Sequence, residues 1–466
     1  MKHEKTTKMV ESTNRPTLDN RQYGLFWDGK ESAKQKASSL QQNLELVLSK
    51  TETHNSNDVE NIVIAGDNLE TLKLLKQDYA NKIDVIYIDP PYNTGNKFIF
   101  KDRFNQATYK TDDCVDNDNF VVNQTMSSKL HTNWLNMIYP RLILARELLN
   151  KNGLIFISID DNEYARLKLL CEEIFGEENF VATMIWRKKR NGGGSARIKI
   201  EIETEYVLVF QKQLNFKVFS GKVIDATHYR FEDEYIESRG KYNLTDLDRV
   251  CSSSVFKYVE SLDYEIKAPD GTMFKNHRNE LKPGSYRYTV SKPLFDFMLE
   301  NGFIKFKKIN GFWRVYRKSY EKVTIDNKKL AIVPRKFGGS YNNIIDESSI
   351  TTASGKKELI SLINNKDFSF PKPVKLVEYL ISFHNNKNAL VLDFFAGSGT
   401  TAEAVMSLNN FDNGHRKYIL IQQHEKIQNK DYKDILDITK SRINNSIVKH
   451  NYKNGYFKFY ELKQIK

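Results

Sequence analysis

The stretch "VIYIDPPYNTG", from Val85 to Gly95, joins a short apolar run to an acid, two prolines and a tyrosine. The run is continuous and β-prone, which predicts a buried parallel strand. Pro90 and Pro91 cannot continue a hydrogen-bonded ladder, and each restricts the residue before it. The stretch therefore predicts a carboxylate, a backbone carbonyl and an aromatic ring held rigidly at the carboxyl edge of a sheet. Open α/β sheets bind their ligands at that edge.

Strands and helices alternate on both sides of this stretch. "NIVIAGD" and "GLIFISID" have the composition of strands, whereas "NLETLKLLKQDYA", "NWLNMIYPRLILARELLN" and "NEYARLKLLCEEIF" have helical spacing. This alternation predicts a parallel sheet with helices on its faces. Further along, "NALVLDFFAGSGTTAEAVMSL" predicts a strand, a glycine loop and a helix, but too little sequence follows to complete a doubly wound sheet. One sheet assembled from both chain ends solves this problem.

The chain divides into four predicted segments. Residues 1–58 are polar and read as an amino-terminal extension, with a helical pattern near "LQQNLELVL". Residues 59–180 form the first part of the α/β domain. Residues 181–365 lose the alternation and contain the break "NGGGSA", which predicts an inserted α+β domain. Residues 366–466 form the second part of the α/β domain and a carboxyl-terminal tail.

Composition narrows the class of protein. A length of 466 residues favours two or three domains, and 40% hydrophobic with 28% charged residues is typical of a globular protein. The net charge of +12 favours a polyanionic partner, although solubility alone also explains it. Cys114, Cys171 and Cys251 are too far apart for a disulfide framework or a metal site, which predicts a reducing cytoplasm. Neither a membrane span nor a secretory signal is expected.

The glycine loop can approach a ligand closely. Gly397 and Gly399 permit a tight turn, and the following helix amino terminus favours anionic groups. Gly397, Gly399 and Ala402 also fit a dinucleotide fingerprint, with an acid, Glu425, after the next strand. A P-loop is excluded because Gly-Lys-Ser/Thr is missing here. Taken alone, the loop is equally well explained as a turn that packs a helix on a strand.

The two motifs together are more specific. Asp89, Pro90, Pro91 and Tyr92 resemble the catalytic tetrad of amino-group DNA methyltransferases, and "DFFAGSG" resembles their S-adenosylmethionine loop. The order of tetrad, variable region and cofactor loop is similar to the permuted β class. "GDNLETLKLL", "KLHTNWLNMIYPRL" and "FPKPVKLVEYLI" resemble the modification subunits of type III restriction–modification systems and their relatives. The resemblance covers roughly residues 60–210 and 365–425.

This resemblance implies a site-specific DNA methyltransferase. Its fold would be a doubly wound Rossmann-like sheet, with a target-recognition domain inserted at 181–365. The implied cofactor is S-adenosylmethionine, and the implied partners are double-stranded DNA, a restriction subunit and a second copy of the chain. Asp89 in the tetrad, rather than serine, favours adenine N6 over cytosine N4 as the target, and both stay open. An NAD-dependent oxidoreductase and a DNA-binding subunit without catalysis are the rival hypotheses.

The tetrad fits the chemistry of an exocyclic amine, whose lone pair is delocalised into the base. Asp89 and the carbonyl of Pro90 can accept its two N–H hydrogens and so free the lone pair for attack. Tyr92 offers a stacking face to a base flipped out of the duplex. Further site residues follow from the resemblance alone. It implies that the methionine part of the cofactor lies near Asp393, Phe395, Gly397, Gly399, Thr400 and Thr401, with Lys372 and Pro373 close to it. It also implies that Glu425 holds the ribose hydroxyls and that Asp67 lies near the adenine, although Asp67 equally fits a helix cap.

Basic residues cluster in the middle of the chain. Arg187, Lys188, Lys189 and Arg190 follow one another, and "FIKFKKINGFWRVYRK" interleaves basic with aromatic residues. Phosphates need positive charge, and exposed bases need aromatic faces, although a charge run is most often a solvated surface. We predict that residues 181–365 recognise DNA and that Arg187 to Arg190 contact backbone phosphates.

Overall fold

The computed structural model describes residues 24–39, 43–49, 60–94, 122–190, 200–221, 229–252, 256–335, 340–364, 368, 370–427, 431–452 and 455–465. The chain forms two compact units. The first contains the chain up to Phe219 and from Asn342 onward, and the second is Ser220–Tyr341. Among these described residues, none of the helices has both the length and the hydropathy needed to cross a membrane.

The elements are numbered in chain order. The first part of the first unit contains α1 (Lys30–Ser38), β1 (Leu44–Leu48), β2 (Asn61–Ala65), α2 (Asn68–Tyr79), β3 (Ile83–Ile88), α3 (Val122–Leu148), β4 (Leu149–Ile159), α4 (Tyr164–Phe175), β5 (Phe180–Arg187) and β6 (Thr204–Gln211). The second unit contains α5 (Ile236–Arg239), β7 (Tyr242–Asp246), β8 (Asp248–Val250), β9 (Ile266–Lys267), β10 (Met273–Phe274), α6 (His277–Leu281), β11 (Tyr286–Tyr288), α7 (Lys292–Glu300), β12 (Ile304–Ile309), β13 (Phe312–Tyr320), β14 (Val323–Asp326) and β15 (Ala331–Pro334). The first unit resumes with β16 (Ile344–Ile345), α8 (Thr352–Ile363), α9 (Val374–Ile381), β17 (Leu390–Asp393), α10 (Thr400–Asp412), β18 (Lys417–Gln422), α11 (Ile435–His450) and β19 (Phe457–Gln464).

A single large sheet organises the first unit. Its strand order is β1-β19-β2-β18-β17-β3-β4-β6-β5-β16. The strands from β19 to β4 run parallel, whereas β6 runs antiparallel to β4. The strand β17 lies between β18 and β3, where Val391 faces both Tyr418 and Val85. This order confirms a doubly wound sheet assembled from both ends of the chain.

Apolar runs and helical spacing explain these elements. Val85, Ile86 and Ile88 in β3 are fully buried, as expected of a central parallel strand covered on both faces. In α4, the buried residues Leu167, Leu170, Cys171 and Phe175 recur at helical spacing. The apolar side of this helix covers the sheet, and its other side faces solvent.

The second compact unit is smaller than the predicted insertion of 181–365. The strands β5 and β6 pair with each other and, through β4, extend the main sheet. The apolar run "VLVF" in β6 is buried from Val207 to Phe210, which explains why it belongs to the sheet. The recognition role assigned to 181–365 stays a prediction.

The described part of the amino-terminal extension is packed on the first unit. The helical pattern near residues 40–48 is wrong for Leu44–Leu48, which forms β1 and pairs antiparallel with β19. The alternation Leu44-Glu45-Leu46 has the period of a strand, and β19 supplies a pairing edge. The Trp27 indole donates a 2.7 Å hydrogen bond to Asn136 and contacts the Tyr139 ring at 5.2 Å between centroids.

Two adjacent leucines of α4 test the contribution of its buried side. Leu170 is fully buried, whereas Leu169 is 38% exposed. We expect Leu170→Ala to lower the free energy of unfolding by about 2 to 5 kcal/mol because it leaves a cavity. Leu169→Ala, the matched control, should have a much smaller effect. Urea unfolding followed by circular dichroism measures both, and equal losses would contradict the assigned packing.

Candidate active site

The tetrad and the glycine loop lie at the same edge of the sheet. Asp89 follows β3, Asp393 ends β17, and these two strands are parallel neighbours. The segment after a third strand, β2, contacts the same edge. Asn68, at the start of α2, donates its side-chain amide to the Phe394 carbonyl at 2.8 Å. Two motifs far apart in sequence are therefore brought together by strand pairing.

The tetrad is held by contacts from several elements. The Trp134 indole in α3 donates to the Pro91 carbonyl at 2.6 Å. The Tyr92 hydroxyl donates to Glu205 at 3.1 Å. Burial, followed by the charges of Asp89 and Glu205, raises the pKa of Tyr92 well above its usual value. Tyr92 is therefore neutral, and its ring is a fixed aromatic surface beside Asp89.

Lys372 lies directly on the tetrad. Its Nζ donates to both carboxylate oxygens of Asp89 at 2.8 Å and lies 3.5 Å from Glu205. Burial alone would lower the pKa of Lys372, but Asp89 and Glu205 outweigh burial and raise it. Its backbone carbonyl also accepts from Thr400 of the glycine loop at 3.4 Å. Lys372 thus contacts both motifs, while its predicted role toward the cofactor stays a prediction.

Glu205 is a site residue that the sequence did not indicate. It lies in β6, and because β6 runs antiparallel to β4, its first residues reach the same edge as the tetrad. Glu205 also accepts from Lys188 at 3.2 Å. The only sequence signal was an acid at the start of a buried strand.

A second carboxylate missed by the sequence supports the residue after the tetrad. The buried Glu163 accepts from the Asn93 side-chain amide at 2.6 Å and lies 2.5 Å from a ring nitrogen of His131. Asn93 has a left-handed backbone with φ of 57°. These contacts fix the turn by which the chain leaves Tyr92.

The backbone of the glycine loop depends on its two glycines. Gly397 and Gly399 have φ of 53° and 83°, in the left-handed region that glycine favours. A Cβ on Gly397 would meet nothing nearer than the Phe368 ring at 3.7 Å, whereas one on Gly399 would lie 3.2 Å from Thr439. A Cβ would therefore be in ordinary van der Waals contact at Gly397 and more tightly packed at Gly399.

The glycine loop is braced from within. Asp393 accepts from the Phe395 amide at 3.0 Å and from the Thr401 hydroxyl at 2.5 Å, and Gln422 accepts from the Gly397 amide at 2.8 Å. Burial raises the pKa of Asp393 to about 7, against the effect of these hydrogen bonds. The Asp393 carboxyl thus holds the loop by accepting hydrogen bonds from the Phe395 amide and the Thr401 hydroxyl.

The helix α11 braces the loop from behind. Its fully buried Arg442 donates to Ser398 at 2.8 Å, to Thr400 at 2.7 Å and to Glu403 at 2.7 Å. Thr439 donates to the Gly397 carbonyl at 2.6 Å. No motif marked α11, because its contribution depends on tertiary packing.

The remaining predicted cofactor residues have these environments. The Asp67 carboxylate accepts from the Glu70 amide at 3.0 Å and caps α2, so the cap alternative describes its contact in this structure. The Glu425 carboxylate accepts from Gln423 at 2.7 Å. Pro373 precedes α9 as its cap residue. The Phe395 ring lies 5.3 Å from that of Phe394. Their roles toward a cofactor stay predictions.

The basic run predicted to contact phosphates faces carboxylates. The pairs are Arg187 with Glu203 at 2.8 Å, Lys188 with Glu205 at 3.2 Å, Lys189 with Glu201 at 3.6 Å and Arg190 with Asp346 at 2.6 Å. Antiparallel pairing of β5 with β6 brings the three glutamates opposite the basic residues. Phosphate binding by this run stays a prediction. No cluster of side chains that could hold a metal occurs within the described ranges.

Comparison with known proteins shows the family of the chain. A family model described as DNA methylase matches residues 83–433. The StyLTI Mod subunit, a type III restriction–modification enzyme of Salmonella typhimurium, is 33% identical over 90% of this chain and 62% of its own length. The EcoP15I Mod subunit of Escherichia coli is 32% identical over 96% of this chain and 72% of its own length. The type II methyltransferase M.KpnI of Klebsiella pneumoniae is 31% identical over 82% and 86%, respectively.

The chain belongs to the DNA methylase family. The predicted resemblance to type III modification subunits is confirmed, and the chain spans less than two thirds of the StyLTI subunit. Membership of this family gives no support to the alternative hypothesis of an NAD-dependent oxidoreductase.

The titration of Asp393 gives a test of the loop. Its pKa is about 7 in the folded protein and about 3.9 in an unfolded chain. The unfolded chain releases this proton at lower pH than the folded protein does. The free energy of unfolding therefore falls as the pH rises from about 3.9 to about 7. Asp393→Asn lacks this titration. The melting temperature of the variant relative to wild type should therefore rise with pH and level off above pH of about 7. Scanning calorimetry from acidic to alkaline pH measures it, with the exposed-site variant Asp78→Asn as control. A difference independent of pH would contradict the assignment.

Proposed function

We propose that the protein transfers a methyl group from S-adenosylmethionine to the N6 amine of adenine in double-stranded DNA, as the modification component of a restriction–modification system. The observation that carries this proposal is the position of Asp89 and the Pro90 carbonyl at one sheet edge, beside the glycine loop on the neighbouring strand. The relatives named as type III Mod subunits and the type II methyltransferase support it.

The glycine loop is the proposed binding site of the cofactor. The loop from Phe395 to Thr401 and the carboxylate of Glu425 would hold it. When bound, S-adenosylmethionine supplies an electrophilic methyl group on a positively charged sulfur. Asp393, Gln422 and Arg442 keep the loop in its shape through the contacts described above. The protein thus fixes the position of the donor before the DNA arrives, which reduces the entropic cost of the reaction.

Asp89 and Pro90 act on the target amine. The Asp89 carboxylate and the Pro90 carbonyl accept its two N–H hydrogens, so that the nitrogen lone pair is available to form the new N–C bond. The cofactor would supply the methyl group, and its sulfur would keep the electron pair of the broken methyl–sulfur bond. The nitrogen then loses a proton toward Asp89, which passes it to solvent. Fixed acceptors at the site of developing charge are an effective form of catalysis.

Tyr92 holds the flipped base. An adenine inside a duplex cannot reach Asp89, so it must leave the stack. The neutral Tyr92 ring, fixed by its hydroxyl contact with Glu205, offers a face for stacking. Cytosine would present a similar amine, and the preference for adenine rests on Asp89 in the tetrad.

The second unit is proposed to recognise the DNA sequence. One face of its β12–β13 sheet carries Lys305 and Lys307, both exposed. The Lys307 ammonium lies 5.7 Å from the Phe231 ring centroid and 5.3 Å from that of Tyr316. Such a mixture of cations and aromatic rings suits phosphates and unstacked bases. A restriction subunit and a second copy of this chain are proposed partners, and the cytoplasm is the proposed location.

The reaction is tested directly by mass spectrometry. Unmethylated phage DNA is incubated with the purified protein and S-adenosylmethionine, and its nucleosides are analysed. We expect N6-methyladenine, and N4-methylcytosine alone would overturn the base assignment. Asp89→Ala should lower turnover by about 100-fold or more because a fixed acceptor is removed. It should still bind S-adenosylhomocysteine in calorimetry. Asp78→Ala, on the exposed side of α2, is the control.

The DNA-binding face is tested by charge removal. The double variant Lys305→Ala/Lys307→Ala should weaken binding to all duplexes and reduce the salt dependence by about one unit of slope for each phosphate that the variant no longer binds. Lys328→Ala/Lys329→Ala removes the same charge from exposed positions between β14 and β15. Fluorescence anisotropy over a range of salt concentrations compares them. Equal slopes for the two variants would refute phosphate binding by this face.

A further inference from the structure

Lys372 lies between two carboxylates. Its Nζ is 2.8 Å from each oxygen of Asp89 and 3.5 Å from Glu205. An ammonium has three N–H donors, so two serve Asp89 and one is left for Glu205. The longer distance exceeds that of a normal hydrogen bond. Lys372 therefore has one strong and one weak acidic partner in this structure.

The surroundings of Lys372 restrict where its ammonium can move. The side chain is 9% exposed, and the rings of Tyr92 and Trp186 lie 4.9 and 6.0 Å from Nζ. The residues on either side of Lys372 are prolines, which stiffen its backbone. A buried ammonium without a carboxylate is costly. If the ammonium leaves Asp89, Glu205 is thus its next acceptor.

Glu205 is held in place to receive it. One oxygen accepts from Lys188 at 3.2 Å, and the other accepts from Tyr92 at 3.1 Å and faces Lys372. Burial acts to raise the pKa of Glu205, but Lys372 and Lys188 outweigh burial and lower it. Glu205 is therefore a charged and anchored acceptor.

The reaction creates a competition at Asp89. In the proposed function, positive charge develops on the amine nitrogen while Asp89 accepts its hydrogen. An ammonium 2.8 Å from the same carboxylate opposes that charge in a buried site, where electrostatic effects are strong. Movement of the ammonium toward Glu205 removes the opposition and leaves an Asp89 oxygen for the amine.

We propose that Glu205 is a positioning residue, which takes the Lys372 ammonium from Asp89 when the target base enters. This proposal rests on the proposed function. The transfer exchanges hydrogen-bond partners and changes no covalent bond. Through Tyr92, the same carboxylate also orients the ring on which the base stacks.

The first test is the rate of Glu205→Gln. Methylation of unmethylated phage DNA is followed in single turnover with saturating S-adenosylmethionine. We expect a loss of about 10-fold or more, as for the removal of a charged hydrogen-bond partner, with unchanged binding of S-adenosylhomocysteine. Asp412→Asn is the control, because it removes a carboxylate from a similarly buried pair with Arg416 outside the site. A Glu205→Gln enzyme as fast as the control would refute the proposal.

A double variant separates positioning from a structural role. In Glu205→Gln/Lys372→Met, no ammonium remains on Asp89, so the double variant should be faster than Glu205→Gln alone. If Glu205 only supports the fold, the second change adds further loss, and a double variant equal to or slower than Glu205→Gln overturns the proposal. Scanning calorimetry of all variants shows whether they are folded at the assay temperature.

A crystal structure gives a readout independent of activity. Methylation-sensitive sequencing first identifies the target sequence, and the wild-type protein is then crystallised with that duplex and S-adenosylhomocysteine. We expect Lys372 within hydrogen-bond distance of Glu205 and no longer on both oxygens of Asp89. An unchanged bidentate contact with Asp89 beside a flipped base would refute the transfer. A wild-type protein that methylates no DNA would refute the proposed function itself, which is a different outcome.

Discussion

The pairing of β17 with β3 is the constraint on which the whole site depends. Two hydrogen-bonded strands from opposite ends of the chain place Val391 beside Val85 and Leu392 beside Ile86. This parallel pairing brings Asp89 and the glycine loop to one edge. The neighbouring strands and helices stabilise this pairing. The parallel strands β18 and β4 flank it, and helices on both faces keep water from its backbone groups. The chemistry is therefore a consequence of topology more than of any local conformation.

The parts of the fold that were predictable have strong local signals. Continuous apolar runs identified the central strands, and helical spacing identified α2, α4 and α10. The prediction failed where a segment depends on a distant partner. Leu44–Leu48 is too short to decide between helix and strand, and only β19 makes it a strand. The strands β5 and β6 were missed as sheet members because they follow the end of the regular alternation.

The position of the candidate site was predictable to a similar degree and for the same reason. Asp89 to Tyr92 and the glycine loop are contiguous motifs at strand ends, so their place at one sheet edge could be predicted, while the roles of their residues stay predictions. Glu205, Glu163 and Arg442 lie on elements without a motif, and their importance follows from burial and contacts alone. The basic run from Arg187 to Arg190 has partners that the sequence did not indicate, while its predicted contact with phosphates stays a prediction. Its charge looked uncompensated along the sequence, but the hairpin with β6 sets Glu201, Glu203 and Glu205 against it.

The order in which the sheet is completed has a consequence for biosynthesis. The end of β3 at Ile88 and the start of β17 at Leu390 are 302 positions apart in the chain. A ribosome adding about 5 to 20 residues per second needs roughly 15 to 60 s to make that interval. Throughout this time the apolar strand β3 has an unpaired edge, which is a hazard for aggregation. Because β4 covers the other edge of β3, only the edge that later pairs with β17 stays open until β17 has been made.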